Sequence, residues 1–188
     1  MRIISGKFRG RKLAKSDHLK SSLRPTTDMA REALFNILFS AKSLREFSFE
    51  LNGANILDLC CGSGAVAFEA LSRGAKSATL IDNNRAHIEL TWQNAKLLEV
   101  DSEVKILQAD ARKLGQNNEF FDLVFIDPPY KENYFGIVQS ALEKNWIQKK
   151  SLVVIEFNTN SDLGEIENLL RKIEIRSYGG TSFGFFVV

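Results

Sequence analysis

Apolar and polar residues follow a regular order along the chain from residue 54 onward. Short apolar runs, typical of buried parallel strands, are each followed by a longer segment whose apolar residues recur at helical spacing. The pattern predicts strands near 54–59, 77–82, 103–107, 121–127 and 151–157, and helices near 63–73, 84–99, 132–145 and 161–171. Alternating strands and helices predict an α/β fold, with a mostly parallel, doubly wound sheet and right-handed crossovers.

The end of the chain departs from this order. Two extended runs, 172–178 and 183–188, are joined by a Gly-Gly-Thr-Ser turn, which is typical of a hairpin rather than of another crossover helix. The final strand is therefore expected to be antiparallel. A dinucleotide-binding sheet would instead end with a parallel strand.

The first part of the chain is strongly basic, although the net charge of the whole is only +2. Residues 1–24 contain eight of the 25 Lys and Arg residues but only one of the 23 Asp and Glu residues. Apolar residues punctuate these cations, and Gly6 and Gly10 are able to turn the chain, so residues 2–13 predict a β-hairpin. A basic segment patterned for structure favours binding to a polyanion such as a nucleic acid. We expect residues 1–23 to form this extension and residues 24–188 to form the α/β domain.

A helix is expected directly after the basic segment. Thr26 or Thr27 is able to cap its first turn, and Asp28 and Glu32 suit its positive end. Its core-facing side chains are expected to be those at helical spacing, namely Met29, Ala33, Leu34, Ile37 and Leu38.

The most informative stretch joins the first predicted strand of the domain to its helix. It reads Asn-Ile-Leu-Asp-Leu-Cys-Cys-Gly-Ser-Gly from residue 55, and an Ala-rich segment follows. Gly62 and Gly64 let a ligand approach the main chain closely, which is typical of a nucleotide pocket. The spacing Gly62-x-Gly64-x-x-Ala67, with Asp82 further on, also fits a nicotinamide enzyme. Asp58 favours S-adenosylmethionine instead, because a carboxylate suits a cationic ligand and not a pyrophosphate.

A second motif, Asp127-Pro128-Pro129-Tyr130, follows the fourth strand. Two prolines fix the backbone and remove two N–H donors, so the loop presents acceptors alone. An exocyclic amine on a nucleobase needs such acceptors: its hydrogens can bond to the Asp127 carboxylate and the Pro128 carbonyl, while Tyr130 stacks on the ring.

Carboxylates mark the ends of four consecutive strands in this interpretation. They are Asp58, Asp82, Asp110 and Asp127. Ligands of parallel sheets bind at the carboxyl ends of the strands, so these residues indicate one binding site. Cys60 and Cys61 are adjacent, are poorly placed to bridge, and are interpreted mainly as small buried residues. With two His residues and no paired Cys motif, no metal site is expected.

These motifs together resemble one protein family. Asp58-x-x-x-Gly62-Ser-Gly64 with Asp127-Pro-Pro-Tyr130 is similar to the Rossmann-like class I S-adenosylmethionine methyltransferases that modify amino groups. The opening Met-Arg-Ile-Ile-Ser-Gly-Lys-Phe-Arg-Gly-Arg-Lys-Leu, then Arg-Pro-Thr-Thr-Asp-x-x-Arg-Glu-Ala-Leu-Phe-Asn from residue 24, and Glu-Ala-Leu-Ser-Arg-Gly-Ala from residue 69, resemble its RsmD branch. That branch comprises 16S ribosomal RNA (guanine-N2)-methyltransferases, whose family name gives guanine 966 as the target.

The resemblance implies a role for particular residues. The cofactor is implied to be S-adenosylmethionine. Its methionine part is implied to bind at Arg24, Thr26, Asp58, Gly62 and Gly64. Its ribose is implied to bind at Asp82, and its adenine at Asp110 and Ala111. The reacting amine is implied to meet Asp127, Pro128, Pro129 and Tyr130. RNA is implied to contact Arg2, Lys7, Arg9, Arg11 and Lys12. Cys60-Cys61 replaces the Phe-Ala usual in the family, and the chain is slightly short at its C-terminus.

The expected partner is 16S ribosomal RNA in the small ribosomal subunit or its assembly intermediate. No apolar run is long enough to span a membrane and no hydrophobic signal core follows the start, so a cytoplasmic protein is expected. A monomer is expected as well, although the sequence leaves the oligomeric state open. Three alternatives stay open: an amino-methyltransferase acting on DNA adenine or protein glutamine, a nicotinamide oxidoreductase, and a catalytically silent RNA-binding module.

Overall fold

The computed structural model describes residues 1–15, 27–129 and 133–188, and its centre is a sheet of seven strands. Their order across the sheet is β3-β2-β1-β4-β5-β7-β6. The strands are β1 (Asn55–Leu59), β2 (Ser77–Asp82), β3 (Val104–Gln108), β4 (Leu123–Ile126), β5 (Leu152–Asn158), β6 (Arg171–Tyr178) and β7 (Thr181–Val187). The predicted α/β fold is confirmed.

Strand direction follows the sequence pattern. β1 to β5 pair in parallel, whereas β7 pairs antiparallel with both β5 and β6. The predicted C-terminal hairpin and its antiparallel last strand are therefore confirmed. Because β1 lies between β2 and β4, the carboxyl ends of these three strands meet at the centre of one sheet edge, where the chain reverses its direction of winding.

Helices cover both faces of the sheet. They are α1 (Asp28–Ser40), α2 (Lys42–Arg45), α3 (Ala65–Ser72), α4 (Arg85–Leu98) and α5 (Tyr134–Glu143). One face packs on α1, α3 and α4, and the other face packs on α5 and the segment around Trp146. Thr27, Asn84 and Asn133 cap α1, α4 and α5 by accepting a hydrogen bond from a backbone N–H in the first turn. No helix in the described part of the chain is long and apolar enough to cross a membrane.

Two sequence-based expectations are wrong. The helix predicted at 161–171 is only a 3-10 helix, Gly164–Asn168, and β6 begins at Arg171. Turns at the end of β5 use the first residues of this segment, which leaves too few for an α-helix before the alternating pattern of β6 takes over. In α1, Met29 is exposed and Arg31 is fully buried, because Arg31 forms an ion pair with the buried Glu69 of α3.

The N-terminal segment forms a short antiparallel hairpin, which agrees with the prediction for residues 2–13. Arg2 and Lys12 form its only bridge among the described residues, and Ile3 exchanges backbone hydrogen bonds with Arg11 and Gly10. The tip of the loop lies against the end of α3, where the N–H of Lys7 donates to the carbonyl of Ser72 at 2.7 Å. Gly6 has φ +80°, and a Cβ there would lie 1.8 Å from the same carbonyl oxygen, so this close approach requires glycine.

Glu69 of α3 joins the N-terminal segment to the domain. Its carboxylate, fully buried, accepts hydrogen bonds from the N–H groups of Ile4 and Ser5 at 2.8 and 3.0 Å. Arg73 donates to it at 2.7 Å, and the buried Arg31 lies 3.8 Å away. One carboxylate therefore balances two guanidinium groups and satisfies two backbone donors.

Replacement of Glu69 by Gln is expected to destabilise the fold strongly. The variant would remove the buried carboxylate that Arg73 contacts at 2.7 Å and would leave the buried Arg31 to its exposed partner Asp28, and breaking comparable buried pairs costs about 3–5 kcal/mol. The free energy of unfolding, measured by urea denaturation, tests this. Glu89→Gln is the matched control, because Glu89 pairs with Arg85 on the surface of α4 and its loss is expected to cost less than about 1 kcal/mol. Equal losses in the two variants would contradict the proposed role of Glu69.

Candidate active site

Three of the predicted acids lie at the centre of the sheet edge. Asp58 pairs in register with Leu80 of β2 and with Phe125 of β4. Asp82 comes two residues after Leu80, and Asp127 comes two residues after Phe125. The two acids therefore flank β1 on its two sides, one pleat beyond Asp58. The N–H of Asp127 donates to the carbonyl of Leu59 at 3.3 Å, which continues the β1–β4 pairing past the end of β4. The structure thus brings Asp58, Asp82 and Asp127 together.

A tight turn carries the chain from β1 into α3. Cys60, Gly62 and Gly64 all have positive φ, at 64°, 56° and 75°. Gly64 is the N-cap of α3, and a Cβ there would lie 2.6 Å from the Phe68 ring and 2.9 Å from the Leu80 side chain. Core packing and positive φ therefore require glycine at position 64, and the turn lies at the amino end of a helix, where the positive end of the dipole lies.

Asp58 is the most perturbed acid in the described structure. It is 2 % exposed, and among the described residues its Oδ2 has no hydrogen-bond partner. The pKa of Asp58 is raised to about 8, mainly by burial and to a smaller extent by the negative charges of Asp82 and Glu156, while a hydrogen bond from the N–H of Ala67 acts in the opposite direction. A cation delivered to this site would supply the missing donor. In the described part of the chain no three metal-binding side chains converge on one point.

Asp82 is held in place by hydrogen-bond donors. Its Oδ2 accepts from the N–H of Gly62 at 2.9 Å and lies 3.1 Å from Nδ1 of His87. Its Oδ1 accepts from the N–H of Asn84 at 2.9 Å. Asp82 is therefore tied directly to the glycine turn, and its orientation is fixed from three directions.

Polar side chains on one face of α4 donate hydrogen bonds to the backbone of the glycine turn between β1 and α3. The Thr91 hydroxyl donates to the carbonyl of Gly62 at 2.9 Å. The Asn94 amide donates to the carbonyl of Ser63 at 3.0 Å and accepts from the N–H of Ala14 at 2.7 Å. Both side chains are fully buried. Sequence reasoning missed them; the signal that could have found them is the helical spacing of His87, Thr91 and Asn94.

Asp110 and Ala111 follow β3 beside this centre. The N–H of Ala109 donates to the carbonyl of Asp82 at 3.0 Å, which places the segment next to the predicted ribose acid. The Asp110 carboxylate is bound by the Arg112 side chain at 2.9 and 3.0 Å, and these hydrogen bonds hold the pKa of Asp110 below its usual value. Ala111 is buried.

The diproline loop begins where β4 ends. Asp127 is half-buried, Pro128 is buried and Pro129 is exposed. The predicted Tyr130 lies outside the described residues, as do Arg24 and Thr26. Glu156, 4 % exposed on the adjacent strand β5, is an acid that sequence reasoning did not assign to this edge.

The cysteines of the turn do not have the environment of a nucleophile. Cys61 is buried, and burial raises the pKa of its thiol well above the usual value. A thiol in this state is protonated and unreactive. Cys60 is only half-buried, so the expectation that both cysteines are buried holds for Cys61 alone.

The predicted RNA-contacting cations divide into two groups. Lys7 forms an ion pair with Glu103 at 3.0 Å, and Arg11 donates to the last carbonyls of α4. Arg2, Arg9 and Lys12 are exposed and form no ion pair with any described residue. These three are the cations left accessible to phosphate.

The strand order, the single antiparallel strand β7 and the glycine turn after β1 define a Rossmann-like class I methyltransferase fold. The chain belongs to the family described as conserved hypothetical protein 95, the RsmD-type methyltransferases, whose model matches residues 1–187. This family and fold imply a cofactor of the S-adenosylmethionine type, and the Asp58 Oδ2, which lacks a partner within the described ranges, fits its cationic amino group. Membership of this family also excludes the nicotinamide oxidoreductase alternative.

Several relatives bear informative names. The chain is 35% identical over 165 residues to ribosomal RNA small subunit methyltransferase D of Escherichia coli, covering 87% of this chain and 77% of the relative. It is 33% identical to the protein of the same name from Haemophilus influenzae, covering 89% and 84% of the two chains. The solved structure of yhhF from Escherichia coli is similar with a TM-score of 0.79 and 29% identity, covering 100% of this chain and 97% of that one.

The buried Asp58 predicts a particular dependence of stability on pH. Its pKa is about 8 in the folded protein and about 3.8 in the unfolded chain, so between these values the folded state holds a proton that the unfolded state has released. The contribution of Asp58 to the free energy of unfolding therefore falls as pH rises, by up to about 1.4 kcal/mol per pH unit. Asp58→Asn removes the titrating group and nearly preserves the shape.

Urea denaturation of both proteins from about pH 5 to about pH 8 measures this difference. The variant is expected to gain stability relative to the natural protein as pH rises. A difference that stays constant over the whole range would show that Asp58 is ionised in the folded protein.

Proposed function

We propose that the protein transfers a methyl group from S-adenosylmethionine to the exocyclic N2 amine of a guanine in small-subunit ribosomal RNA; the family resemblance gives guanine 966 as the target. The supporting observation is the junction of the two motifs: the backbone hydrogen bond from Asp127 to Leu59 sets the acceptor-rich diproline loop beside the glycine turn. An amine held by the loop would then lie next to a donor held by the turn.

The cofactor would supply an electrophilic methyl group on a cationic sulfur. In this proposal Asp58 accepts the hydrogens of the amino group, and the backbone of Gly62 and Gly64 contacts the methionine part. Asp82 binds the ribose hydroxyls, and the Asp110–Ala111 segment adjoins the adenine. Arg24 and Thr26 are proposed to close over the methionine end on the strength of the family resemblance.

The guanine N2 is a poor nucleophile because its lone pair is delocalised into the ring. Asp127 and the Pro128 carbonyl would accept its two hydrogens and aim the nitrogen at the methyl carbon, so the gain comes mainly from positioning. When bound, the cofactor would supply the methyl group, with a new N2–carbon bond replacing its sulfur–carbon bond. The Asp127 carboxylate would stabilise the positive charge that develops on the nitrogen, and one N2 proton would leave to Asp127 or to water.

The substrate class is supported by the basic N-terminal segment and by the relatives' names. Arg2, Arg9 and Lys12 present exposed cations, and the segment is fixed to the domain through Glu69. Cations of this kind bind phosphates and position RNA without reading its sequence. The target base has to leave its stack to reach the diproline loop. Phosphates bound by the N-terminal cations on either side of this base would hold the RNA in place during that movement.

Asp127→Ala is expected to lower the rate of methyl transfer at least about a hundredfold, because the variant loses both the acceptor and the charge at the reacting nitrogen. Affinity for S-adenosylhomocysteine is expected to stay within about threefold, since Asp127 lies on the base side of the site. The assay follows labelled methyl into small subunits isolated from cells that lack the protein, and mass mapping of the RNA identifies the product.

Asp101→Ala, a change of an exposed acid in the loop after α4, is the control and should keep full activity. Near-normal turnover by Asp127→Ala would show that Asp127 has been given the wrong role. Label in protein or DNA instead of N2-methylguanine would overturn the proposed substrate.

Charge removal at the N-terminal segment is expected to weaken RNA binding without affecting the cofactor. The double variant Arg9→Gln, Lys12→Gln should lower the slope of log Kd against log salt by about one unit for each lost phosphate contact. Fluorescence anisotropy at several salt concentrations measures the slope. Lys149→Gln, at the amino end of β5, is the control and should leave the slope unchanged; an unchanged slope in the double variant would place the RNA elsewhere.

A further inference from the structure

Glu156 is a buried acid that has no role in the methyl transfer as proposed above. It lies near the end of β5 between Ile155 and Phe157, and it is 4 % exposed. Burial of a carboxylate among apolar residues costs free energy, so acids in such places are concentrated at functional sites. Its charge is close enough to Asp58 to raise the pKa of that acid.

The pairing of β4 with β5 places Glu156 beside Asp127. Ile126 pairs with Ile155, and the next residue on each strand is an acid. Adjacent strands lie about 4.8 Å apart, so the two acids are neighbours at the sheet edge.

The two acids also point to the same side of the sheet. Phe125 and Val154, two residues before Asp127 and Glu156, pair with each other and lie in the same core cluster, which also contains the buried residues of α3. Side chains alternate along a strand, so both acids face the α3 side. Ile56, two residues before Asp58, packs in that core too, which places Asp58 on this side.

Two neighbouring acceptors match one nucleobase edge. Guanine presents two adjacent donors there, the N2 amine and the N1–H, whereas adenine and cytosine present an amine beside an acceptor. Resting on the proposed function, in which Asp127 holds the N2 amine, we infer that Glu156 accepts the N1–H of the same guanine and thereby determines the specificity of the enzyme for guanine. A base with an acceptor at that position meets a like charge and is rejected.

The test compares guanine with 2-aminopurine, which keeps the N2 amine but carries a lone pair at N1. Small-subunit RNA is prepared with either base at the mapped position, and kcat/KM for methyl transfer is measured on each. The natural protein is expected to prefer guanine at least about tenfold, because the N1 lone pair of 2-aminopurine would face the Glu156 carboxylate where guanine donates a hydrogen bond. In Glu156→Gln the amide can donate to the N1 of 2-aminopurine, so the preference should shrink to within about threefold.

A role in folding alone would change both substrates equally, so the ratio separates the two explanations. Glu174→Gln, a change of a half-buried acid on β6 of the same sheet, is the control and should keep the natural preference. Affinity for S-adenosylhomocysteine, measured by calorimetry, reports on the fold and the cofactor site of each variant.

An unchanged preference in Glu156→Gln overturns the inference. If the variant also loses much of its affinity for S-adenosylhomocysteine, Glu156 is a cofactor residue instead. If Glu156→Gln does not fold, Glu156→Asp decides: the shortened acid should lower kcat/KM on guanine about tenfold, and wild-type activity on guanine would overturn the inference. If the natural protein binds S-adenosylhomocysteine but methylates neither RNA, the proposed function itself fails.

Discussion

Crowding of carboxyl groups at one sheet edge is the constraint on which the site depends. Parallel pairing of β1 with β2 and β4, and of β4 with β5, brings Asp58, Asp82, Asp127 and Glu156 to one side of the sheet. Carboxylates this close repel one another, and burial removes the water that would screen them. Hydrogen-bond donors of the glycine turn satisfy Asp82, whereas Asp58 keeps an acceptor without a partner in the described structure. In the proposed function, a cationic methyl donor and an amine substrate relieve this repulsion.

The scaffold around the edge holds the acids in place and connects them to the basic N-terminal segment. α4 binds the glycine turn through Thr91 and Asn94, and Asn94 also accepts from Ala14. α3 binds the same segment through Glu69, with Arg31 and Arg73 as counterions. The segment proposed to bind RNA is therefore packed against the two helices that shape the proposed cofactor pocket, and this packing would fix the distance between bound RNA and the methyl donor.

Much of this arrangement could be predicted from local patterns. The strands β1 to β5, the C-terminal hairpin, the glycine turn and the acids at strand ends all have signals within a few residues of sequence, and the structure has them in the expected places. The helix predicted at 161–171 was wrong because its apolar residues, Leu163, Ile166 and Leu170, also suit a 3-10 turn that packs under the sheet. Local pattern does not distinguish the two when the connection is short.

Other features depend on contacts between distant residues. Nothing near Arg31 in sequence indicates that it is buried while Met29 is exposed; its partner Glu69 lies on another helix. Glu156 interrupts an apolar strand, but its proposed role depends on its position beside Asp127, which only the pairing of β4 with β5 reveals. The polar face of α4 is similar: Thr91 and Asn94 are ordinary helix residues until the glycine turn is folded above them.

The most direct test of the account is the contribution of the ligand's amino group to binding. Calorimetric titration compares S-adenosylhomocysteine with 5′-methylthioadenosine, which has the same nucleoside but lacks the amino and carboxyl groups, for the natural protein and for Asp58→Asn. The account predicts that S-adenosylhomocysteine binds at least about a hundredfold more tightly, and that Asp58→Asn loses about tenfold or more of this difference because the charge-assisted hydrogen bond to the amine is gone. Equal affinities for the two ligands, or an undiminished difference in Asp58→Asn, would contradict it.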